Sequence, residues 1–156
     1  DVVSKKGGGT TFKIYLPASE DKVIEENKRA ANLLRGTGTI LFVDDEDMII
    51  DVGHEILKAL GYKVLLARGG KEAIEIYKRY RDKIDVVILD MIMPDMGGGE
   101  SYDRLKEINP KVKVLLSSGY SIAGQATKIL QRGCNGFIQK PFNINELSKK
   151  LREIVD

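Results

Sequence analysis

This sequence has one cysteine, a small net charge and no long apolar run. Each of these features argues against a particular kind of bond or partner. Cys134 is the only cysteine among 156 residues, so no disulfide can form within the chain, and a reducing cytoplasmic compartment is the natural setting. The formal net charge is only +2 and no dense basic run occurs, which argues against binding of nucleic acid. No apolar run is long enough to span a bilayer and no signal peptide is recognisable, so we expect no membrane contact by this chain, even if its parent protein is membrane-anchored.

The remaining composition is that of a globular chain. Hydrophobic residues make up 42% of it and charged residues 31%, which supplies enough apolar side chains for a packed core. The length accommodates one domain and an appendage. The residue pattern changes twice, so the sequence predicts an N-terminal segment (residues 1–17), a linker (18–38) and a domain (39–156).

The N-terminal segment has the pattern of a short β-structure. In residues 11–16, apolar side chains such as Phe12 and Ile14 alternate with polar ones, which is typical of a strand with one apolar face. Three glycines at 7–9 permit a sharp turn before it. We expect this strand to pair with Val2-Val3, with a second copy of the chain in a dimer, or with the surface of the larger domain. A flexible glycine linker is the alternative interpretation.

The linker is dominated by charged side chains but retains helical potential. Val23, Ala30 and Leu34 recur at helical spacing, and Ser19 can cap a helix N-terminus. Residues 18–38 therefore predict an interdomain connection that is at least partly helical.

From residue 39 onward, five short apolar runs alternate with five amphipathic segments. The runs predict strands and the segments predict helices. The predicted strands cover residues 39–43, 63–67, 84–90, 113–118 and 136–139. The side chains predicted to face the core in the first two helices are Ile49, Val52, Ile56 and Leu60, then Ala73, Ile76, Tyr77 and Tyr80.

Strict alternation of strands and helices implies a parallel sheet covered by helices on both faces. Right-handed crossovers leave few topologies, and we predict the flavodoxin-like doubly wound (βα)5 fold with strand order 2-1-3-4-5. The first and third strands are then neighbours at the switch point, where ligands bind at the carboxyl ends of the strands.

Polar side chains stand at the carboxyl ends of four of these strands. Asp44 and Asp45 follow the first strand, Asp90 ends the third, Ser118 ends the fourth and Lys140 follows the fifth. A parallel sheet brings all five to one rim. Acids after the first strand also suit a helix N-terminus, and Asp90 can cap the next helix, but neither explanation accounts for the convergence.

Three neighbouring carboxylates need a cation between them, and a set of oxygen ligands suits Mg²⁺. A carboxylate can also act as a nucleophile toward phosphorus. Lys140 supplies a compact positive charge and the Ser118 hydroxyl a hydrogen-bond donor for phosphoryl oxygens. The rim therefore predicts phosphoryl transfer, which depends mainly on positioning and charge neutralisation.

Four motifs resemble the response-regulator receiver domain: Asp44-Asp45, Leu-Asp-x-x-Met-Pro around Asp90, Ser118-Gly119 and Lys140-Pro141-Phe142. The resemblance implies that Asp90 accepts a phosphoryl group from a phosphohistidine donor domain, in a two-component phosphorelay. It further implies a switch in conformation after phosphorylation.

The same resemblance implies roles for individual ligands and switch residues. Asp45 and Asp90 would bind Mg²⁺ directly, Asp44 would act through a metal-bound water, and the Ile92 backbone carbonyl would complete the protein ligands. Ser118, rather than Ser117, matches the switch hydroxyl through its spacing from Lys140. Phe137 matches the switch aromatic residue, although an ordinary core phenylalanine is an equal alternative. Ile92 and Tyr120 would flank the water that hydrolyses the acyl phosphate, and neither favours its approach.

Ser4 to Pro17 carries a second resemblance. The pattern Ser-x-x-Gly-x-Gly-Thr-Thr-Phe-x-Ile-Tyr-Leu-Pro is similar to the end of a histidine-kinase ATP-binding domain. Kinase, linker and receiver is the order of a hybrid sensor histidine kinase, a protein-histidine kinase. The donor would then be its own kinase or a histidine phosphotransfer protein. No kinase activity is expected of this chain, because phosphate-binding boxes are absent and His54 lacks the neighbours of a phosphohistidine.

Two other functions compete with the phosphoacceptor. A haloacid-dehalogenase-type Mg²⁺-dependent phosphohydrolase would use Asp44 as its nucleophile, but it requires aspartate at Glu46 and threonine or valine at Met48. A pseudo-receiver would bind partners without being phosphorylated. The complete set of rim residues argues against it.

Overall fold

The structure is a computed structural model that describes residues 1–16, 34–119 and 125–155. The predicted linker helix, Tyr120 and the beginning of the fourth predicted helix lie outside these ranges. Two compact units are distinguished, Asp1–Ala30 and Ala31–Asp156. No helix among the described residues is long and apolar enough to cross a bilayer.

The first unit contains an antiparallel hairpin of β1 (Val2–Lys5) and β2 (Gly9–Phe12). Gly7 and Gly9 have positive φ angles of 79° and 83°, so the turn uses glycine where other residues would be strained. The prediction of a strand over residues 11–16 is wrong in extent, because β2 ends at Phe12. Backbone pairing stops at Asp1 and Lys13, and residues 14–16 have no strand opposite them in the described first unit.

The described part of the second unit alternates five strands with five helices, as predicted. The strands are β3 (Thr39–Val43), β4 (Lys63–Ala67), β5 (Val86–Asp90), β6 (Val114–Ser118) and β7 (Gly136–Gln139). The helices are α1 (Asp47–Ala59), α2 (Gly70–Tyr80), α3 (Gly98–Ile108), α4 (Gln125–Gln131) and α5 (Ile144–Val155). All strands are parallel in the order β4-β3-β5-β6-β7, which confirms the predicted 2-1-3-4-5 topology.

The sheet is buried on both faces, which explains why its strands read as continuous apolar runs. Side chains such as Phe42 and Ile88 pack on one face against α1 and α5. Side chains such as Leu41 and Leu89 pack on the other against α2, α3 and α4. Successive strand residues thus serve two separate cores.

The predicted core faces of the first two helices are partly wrong. For the first helix, Leu60 is buried and Ile49 and Ile56 pack partly against the core as predicted, but Val52 is 55% exposed. The buried residues within α1 itself are Ile50, Gly53 and Leu57. A side chain at Gly53 would collide with the Phe42 ring, so α1 approaches the sheet through a residue that hydrophobic patterning ignores. In α2, Ala73 and Tyr77 are buried as predicted, but Ile74 is buried whereas Ile76 and Tyr80 are only partly so.

Both ends of the second unit are fixed by side-chain hydrogen bonds. Asn143 caps α5, because its Oδ1 accepts from the backbone nitrogens of Asn145 and Glu146 at 3.0 Å each. The buried Ser148 hydroxyl of α5 accepts from the Leu34 nitrogen at 3.1 Å and donates to the Leu34 oxygen at 3.2 Å. The end of the predicted linker is thereby attached to the second unit.

Candidate functional site

The topology brings the predicted rim residues to one edge of the sheet. Asp44 follows β3, Asp90 is the last residue of β5, and Ser118 is the last residue of β6. Lys140 follows β7, and its backbone nitrogen donates to the Ser118 oxygen at 2.7 Å. Since β3 and β5 are neighbours and β6 and β7 follow in order, the four residues converge at the carboxyl ends of the strands.

The centre of this edge is a lysine shared by two buried carboxylates. The Lys140 ammonium nitrogen lies 2.5 Å from Asp44 Oδ2 and 2.7 Å from Asp90 Oδ1. Asp44 is 0% exposed and Asp90 is 5% exposed, so both acids depend on protein groups for stabilisation of their charge. Two carboxylates and one ammonium leave the site with a surplus negative charge.

Backbone amides orient both acids. Asp90 Oδ2 accepts from the Ile92 nitrogen at 2.7 Å, and Asp44 Oδ1 accepts from the Glu46 nitrogen at 3.2 Å. Burial raises the pKa of Asp90, because the cost of removing the carboxylate from water exceeds the stabilisation by Lys140 and Ile92. Burial alone would lower the pKa of Lys140, but its hydrogen bonds to Asp44 and Asp90 outweigh this effect and raise it. The lysine therefore stays charged.

Above these residues lies an open cavity of about 320 Å³, lined by Asp45, Asp90, Ile92, Ser118 and Lys140 among others. Asp45 is exposed, in contrast to the buried Asp44. The cavity gives solutes access to a carboxylate, a hydroxyl and an ammonium group at once. Phosphoryl transfer depends mainly on positioning and charge stabilisation, which these groups are suited to supply.

The donor set fits Mg²⁺ in its chemistry. Carboxylate oxygens of Asp44, Asp45 and Asp90, with a backbone carbonyl at Ile92, are the hard oxygen ligands that Mg²⁺ prefers. Over the described ranges no three acidic, histidine or cysteine side chains already converge on one point. Lys140 lies between Asp44 and Asp90 and supplies the positive charge there.

The two adjacent serines of β6 differ in their surroundings. Ser118 lines the cavity, and its role as the switch hydroxyl stays a prediction. Ser117 pairs in register with Asp90, and its buried hydroxyl has no hydrogen-bond partner among the described residues. Phe137 lies on β7, half-buried against the core that faces α2, α3 and α4.

Sequence reasoning missed an apolar cavity beside the rim. It has a volume of about 360 Å³ and is lined by Ile49, Val52, Ile56, Pro141 and Phe142, together with Lys140 and other residues. Met48 is 76% exposed on the same helix. Because Ile49, Val52 and Ile56 were predicted to face the core, nothing in the sequence pattern indicated this surface, which shares Lys140 with the site cavity.

A second missed residue is Asp95, in the loop that follows the site strand. Its carboxylate accepts from the backbone nitrogens of Gly70, Lys71 and Met96 at 3.2, 3.1 and 2.7 Å. The signal in the sequence was the pair Gly69-Gly70, which opens a helix without a capping side chain.

His54 and Cys134 lie apart from the rim. His54 is partly buried on α1, with its Nδ1 3.6 Å from Glu55, as expected of an ordinary helical histidine. Cys134 donates through its sulfur to the Val114 oxygen at 3.1 Å, and burial raises the pKa of its thiol. A thiol with a raised pKa is poorly reactive.

Comparison with known sequences identifies close relatives in two-component signalling. The pattern of the response regulator receiver domain matches residues 40–152. Sensor kinase CckA of Brucella abortus is 33% identical over 98% of this chain, which spans 17% of that protein. The probable transcriptional regulatory protein TcrX of Mycobacterium tuberculosis is 32% identical over 75% of this chain, which covers 49% of TcrX. The chain thus spans less than half of each relative's length.

Solved structures agree with this relationship. The receiver domain of the hybrid histidine kinase CckA has a TM-score of 0.65 and 32% identity, covering 76% of this chain and 100% of that one. A receiver domain protein from Clostridium thermocellum has a TM-score of 0.73 and 29% identity, and the match covers 76% of this chain and 94% of that one. A CheY of Borrelia burgdorferi, in complex with CheX, BeF3 and Mg²⁺, has a TM-score of 0.72 and 25% identity, and the match covers 75% of this chain and 88% of that one. This chain therefore belongs to the response regulator receiver domain family, the phosphoryl-accepting modules of two-component signal transduction.

Proposed function

We propose that Asp90 is the phosphoacceptor of this receiver, that transfer from a phosphohistidine requires Mg²⁺, and that Ser118 and Lys140 read out the product. The observation that best supports this assignment is the Lys140 ammonium, hydrogen-bonded to both Asp44 and Asp90. A buried acid at a solvent-open cavity, already opposed by a fixed cation, is suited to react with an anionic phosphoryl group.

In the proposed reaction, an Asp90 carboxylate oxygen attacks the phosphorus of the donor. A new oxygen–phosphorus bond forms and the donor nitrogen–phosphorus bond breaks, so the imidazole nitrogen retains the electron pair and takes a proton. Asp45, Asp90 and the Ile92 carbonyl would hold Mg²⁺, with Asp44 acting through a water. The cation would supply positive charge to the phosphoryl oxygens. Lys140 would neutralise the opposite side of the phosphoryl group.

The switch follows from the link between the ends of β6 and β7. Phosphorylation adds charge and strong acceptors at Asp90. Ser118 would then donate to a phosphoryl oxygen, and Lys140 would reorient from Asp44 toward the new group. Because the backbone nitrogen of Lys140 donates a hydrogen bond to the backbone oxygen of Ser118, the ends of β6 and β7 would move together. Phe137 on β7 would shift with them.

We further propose that the phosphohistidine domain docks on the apolar cavity of α1. A donor must lie over Asp90 at the moment of transfer, and this cavity adjoins the rim through Lys140. Val52 lines this cavity and is 55% exposed, and Met48 on the same helix is 76% exposed, so apolar surface is available here for a partner to cover. Ile49 and Ile56 extend the same surface along the helix.

The N-terminal segment is proposed to be the end of a histidine-kinase ATP-binding domain, joined by residues 18–38 to a receiver in 39–156. The alignment with a sensor kinase over 98% of the chain supports this order. The large apolar residues of the hairpin and its tail are 61–82% exposed, as expected of a piece of a larger sheet. The parent would be a cytoplasmically signalling hybrid sensor kinase, while this chain itself should not incorporate label from ATP.

The same exposed residues also suit pairing of two hairpins in a dimer. Light scattering of the whole chain, compared with a chain lacking residues 1–17, measures that association. A monomer at all concentrations would leave the kinase remnant as the better account of the segment.

One labelling experiment tests the function against its competitors. With a small acyl phosphate donor and Mg²⁺, the wild-type chain should gain one phosphoryl group and Asp90→Asn should gain none. If the chain were a pseudo-receiver, the wild type itself would remain unlabelled. A phosphohydrolase would instead turn over the donor catalytically and lose that turnover in Asp44→Asn.

A further inference from the structure

Asp95 connects the loop after the phosphoacceptor to a helix from an earlier part of the chain. It lies in residues 91–97, between β5 and α3, and its carboxylate accepts from the Gly70 and Lys71 nitrogens that open α2. It also accepts from the Met96 nitrogen within the loop, at 2.7 Å. One carboxylate therefore satisfies otherwise unpaired donors at a helix N-terminus and fixes its own loop.

The N-cap residue of helix α2 provides no capping side chain, and the glycines there allow the Asp95 carboxylate to approach. Its N-cap residue is Gly69, whose extended φ of 169° any residue could adopt. A Cβ added at Gly69 would lie only 2.7–2.9 Å from the Asp95 carboxyl group. A Cβ at Gly70 would collide with the Ser101 hydroxyl and approach the Met96 carbonyl. The two glycines thus permit close contact between α2 and the loop.

The other end of the loop is bonded to the phosphoacceptor itself. The Ile92 nitrogen donates to Asp90 Oδ2 at 2.7 Å, and the Gly98 nitrogen donates to the Met91 oxygen at 3.0 Å. Only two residues, Met93 and Pro94, separate Ile92 from Asp95. The loop that contains Ile92 is therefore held at the rim by Asp90 and at α2 by Asp95.

Ionisation of Asp95 favours this contact. Burial acts to raise the pKa of its carboxyl group, but the backbone N–H groups of Lys71, Met96 and Gly70 together outweigh burial and lower the pKa. Carboxylates at helix N-termini also interact favourably with the helix dipole.

We infer that Asp95 is a positioning residue for the phosphorylation of Asp90: by tying the loop to α2, it holds the Ile92 carbonyl where a cation in the site can use it. This inference rests on the proposed function, in which Ile92 contributes to Mg²⁺ binding. Removing a group that orients a metal ligand commonly weakens metal binding by 10- to 100-fold, and for Asp95, which acts through the backbone, we expect about 10-fold. Phosphorylation of Asp90 at limiting Mg²⁺ should slow by a similar factor.

The test separates capping of α2 from positioning of the loop. Asp95→Ala removes both, whereas Gly69→Ser combined with Asp95→Ala gives α2 a cap on its own N-cap residue and leaves the loop untied. The added Cβ would no longer meet a carboxylate at position 95. Asp82→Ala is the matched control, because Asp82 is an exposed aspartate whose ion pair with Arg81 lies at the other end of α2.

Mg²⁺ affinity from amide chemical shifts, phosphorylation rate at limiting Mg²⁺ and unfolding free energy are measured for each chain. We expect the double variant to regain stability but to bind Mg²⁺ about 10-fold more weakly than the wild type. Asp95→Asn keeps one acceptor oxygen and should fall between the wild type and Asp95→Ala, so the comparison does not depend on the alanine variant folding.

Wild-type Mg²⁺ affinity in the double variant would overturn the inference, since Asp95 would then serve only to cap α2. Equal affinity in Asp95→Ala and Asp82→Ala would overturn it as well. A wild-type chain that binds no Mg²⁺ would overturn the proposed function together with this inference, which distinguishes the two failures.

Discussion

Lys140 Nζ lies 2.7 Å from Asp90 Oδ1, although the two residues are separated by 50 positions in the chain. The lysine reaches the acid because β7 and β5 end at the same edge of the sheet, with β6 between them. Lys140 forms a second hydrogen bond to Asp44. Among the described residues, it is the only cation within ion-pair distance of either buried acid. The stability and the chemistry of the site therefore depend on the same ammonium group.

The first prediction concerns the stability provided by Lys140. Lys140→Met keeps the aliphatic stem but leaves Asp44 and Asp90 buried without their cation, which should lower the unfolding free energy by about 3–5 kcal/mol. Added Mg²⁺ should recover more stability in this variant than in the wild type. Urea denaturation with and without Mg²⁺ measures both effects.

Lys150→Met is the control for this prediction. Lys150 is an exposed lysine of α5 paired with Glu153 at 3.1 Å, and its loss should change stability by less than about 0.5 kcal/mol. Equal effects at the two lysines would contradict the account of the buried site.

The second prediction concerns pH. Because the pKa of Asp90 is raised in the folded state, protonation of this acid stabilises the fold. That stabilisation is complete below the ordinary aspartate pKa of 3.8 and is lost as pH rises through the higher pKa of Asp90 in the folded state. Asp90→Asn should thus be more stable than the wild type at neutral pH, with an advantage that shrinks toward pH 3.8. A constant difference at all pH values would show that burial does not strain the carboxylate.

The third prediction concerns the docking surface. Val52→Glu places a charge in the apolar cavity of α1 and should slow transfer from a phosphohistidine domain by about 10-fold, the effect of losing a contact worth 1–2 kcal/mol. Labelling by a small acyl phosphate should be unchanged, since that donor needs no docking. Asp51→Ala, at the preceding position of the same helix, is the control and should leave both rates unaltered. Parallel losses with both donors would mean that Val52 supports the fold and not the donor.

The fourth prediction concerns the lifetime of the acyl phosphate. Ile92 lines the site cavity and offers no hydrogen bond to a hydrolytic water. Ile92→Asn should accelerate decay of phosphorylated Asp90 at least a few-fold, while Ile92→Val should not. The decay of label after removal of the donor gives the rate directly. A slower or unchanged decay in the asparagine variant would refute this role of Ile92.

Much of the fold was predictable because the sheet is buried on both faces. Each strand is a continuous apolar run, and the polar residue at its end is easy to locate, so Asp44, Asp90, Ser118 and Lys140 could be placed on one rim from topology alone. The right-handed crossover rule then left few strand orders, from which the flavodoxin-like order was chosen.

The helix faces were harder because hydrophobicity alone does not choose between two stripes. In α1 the stripe that contains Gly53 faces the sheet, since only glycine fits against Phe42, and the more apolar Val52 side remains exposed. The length of β2 also escaped prediction, because a strand extends only as far as its partner does.

Contacts between distant segments left almost no trace in the sequence. The Asp95 bonds to Gly70 and Lys71 join residues about 25 positions apart and depend on how closely α2 approaches a loop. The lysine between Asp44 and Asp90 is similar: its type and position were predictable, whereas its simultaneous bonds to both acids depend on the final packing.

The most direct test of the central claim is the intact mass of the chain after incubation with a small acyl phosphate, with Mg²⁺ or with excess chelator. The account predicts one added phosphoryl group in Mg²⁺, located at Asp90 by fragmentation, little in chelator, and none in Asp90→Asn. Equal phosphorylation in chelator, or a phosphoryl group that persists in Asp90→Asn, would contradict it.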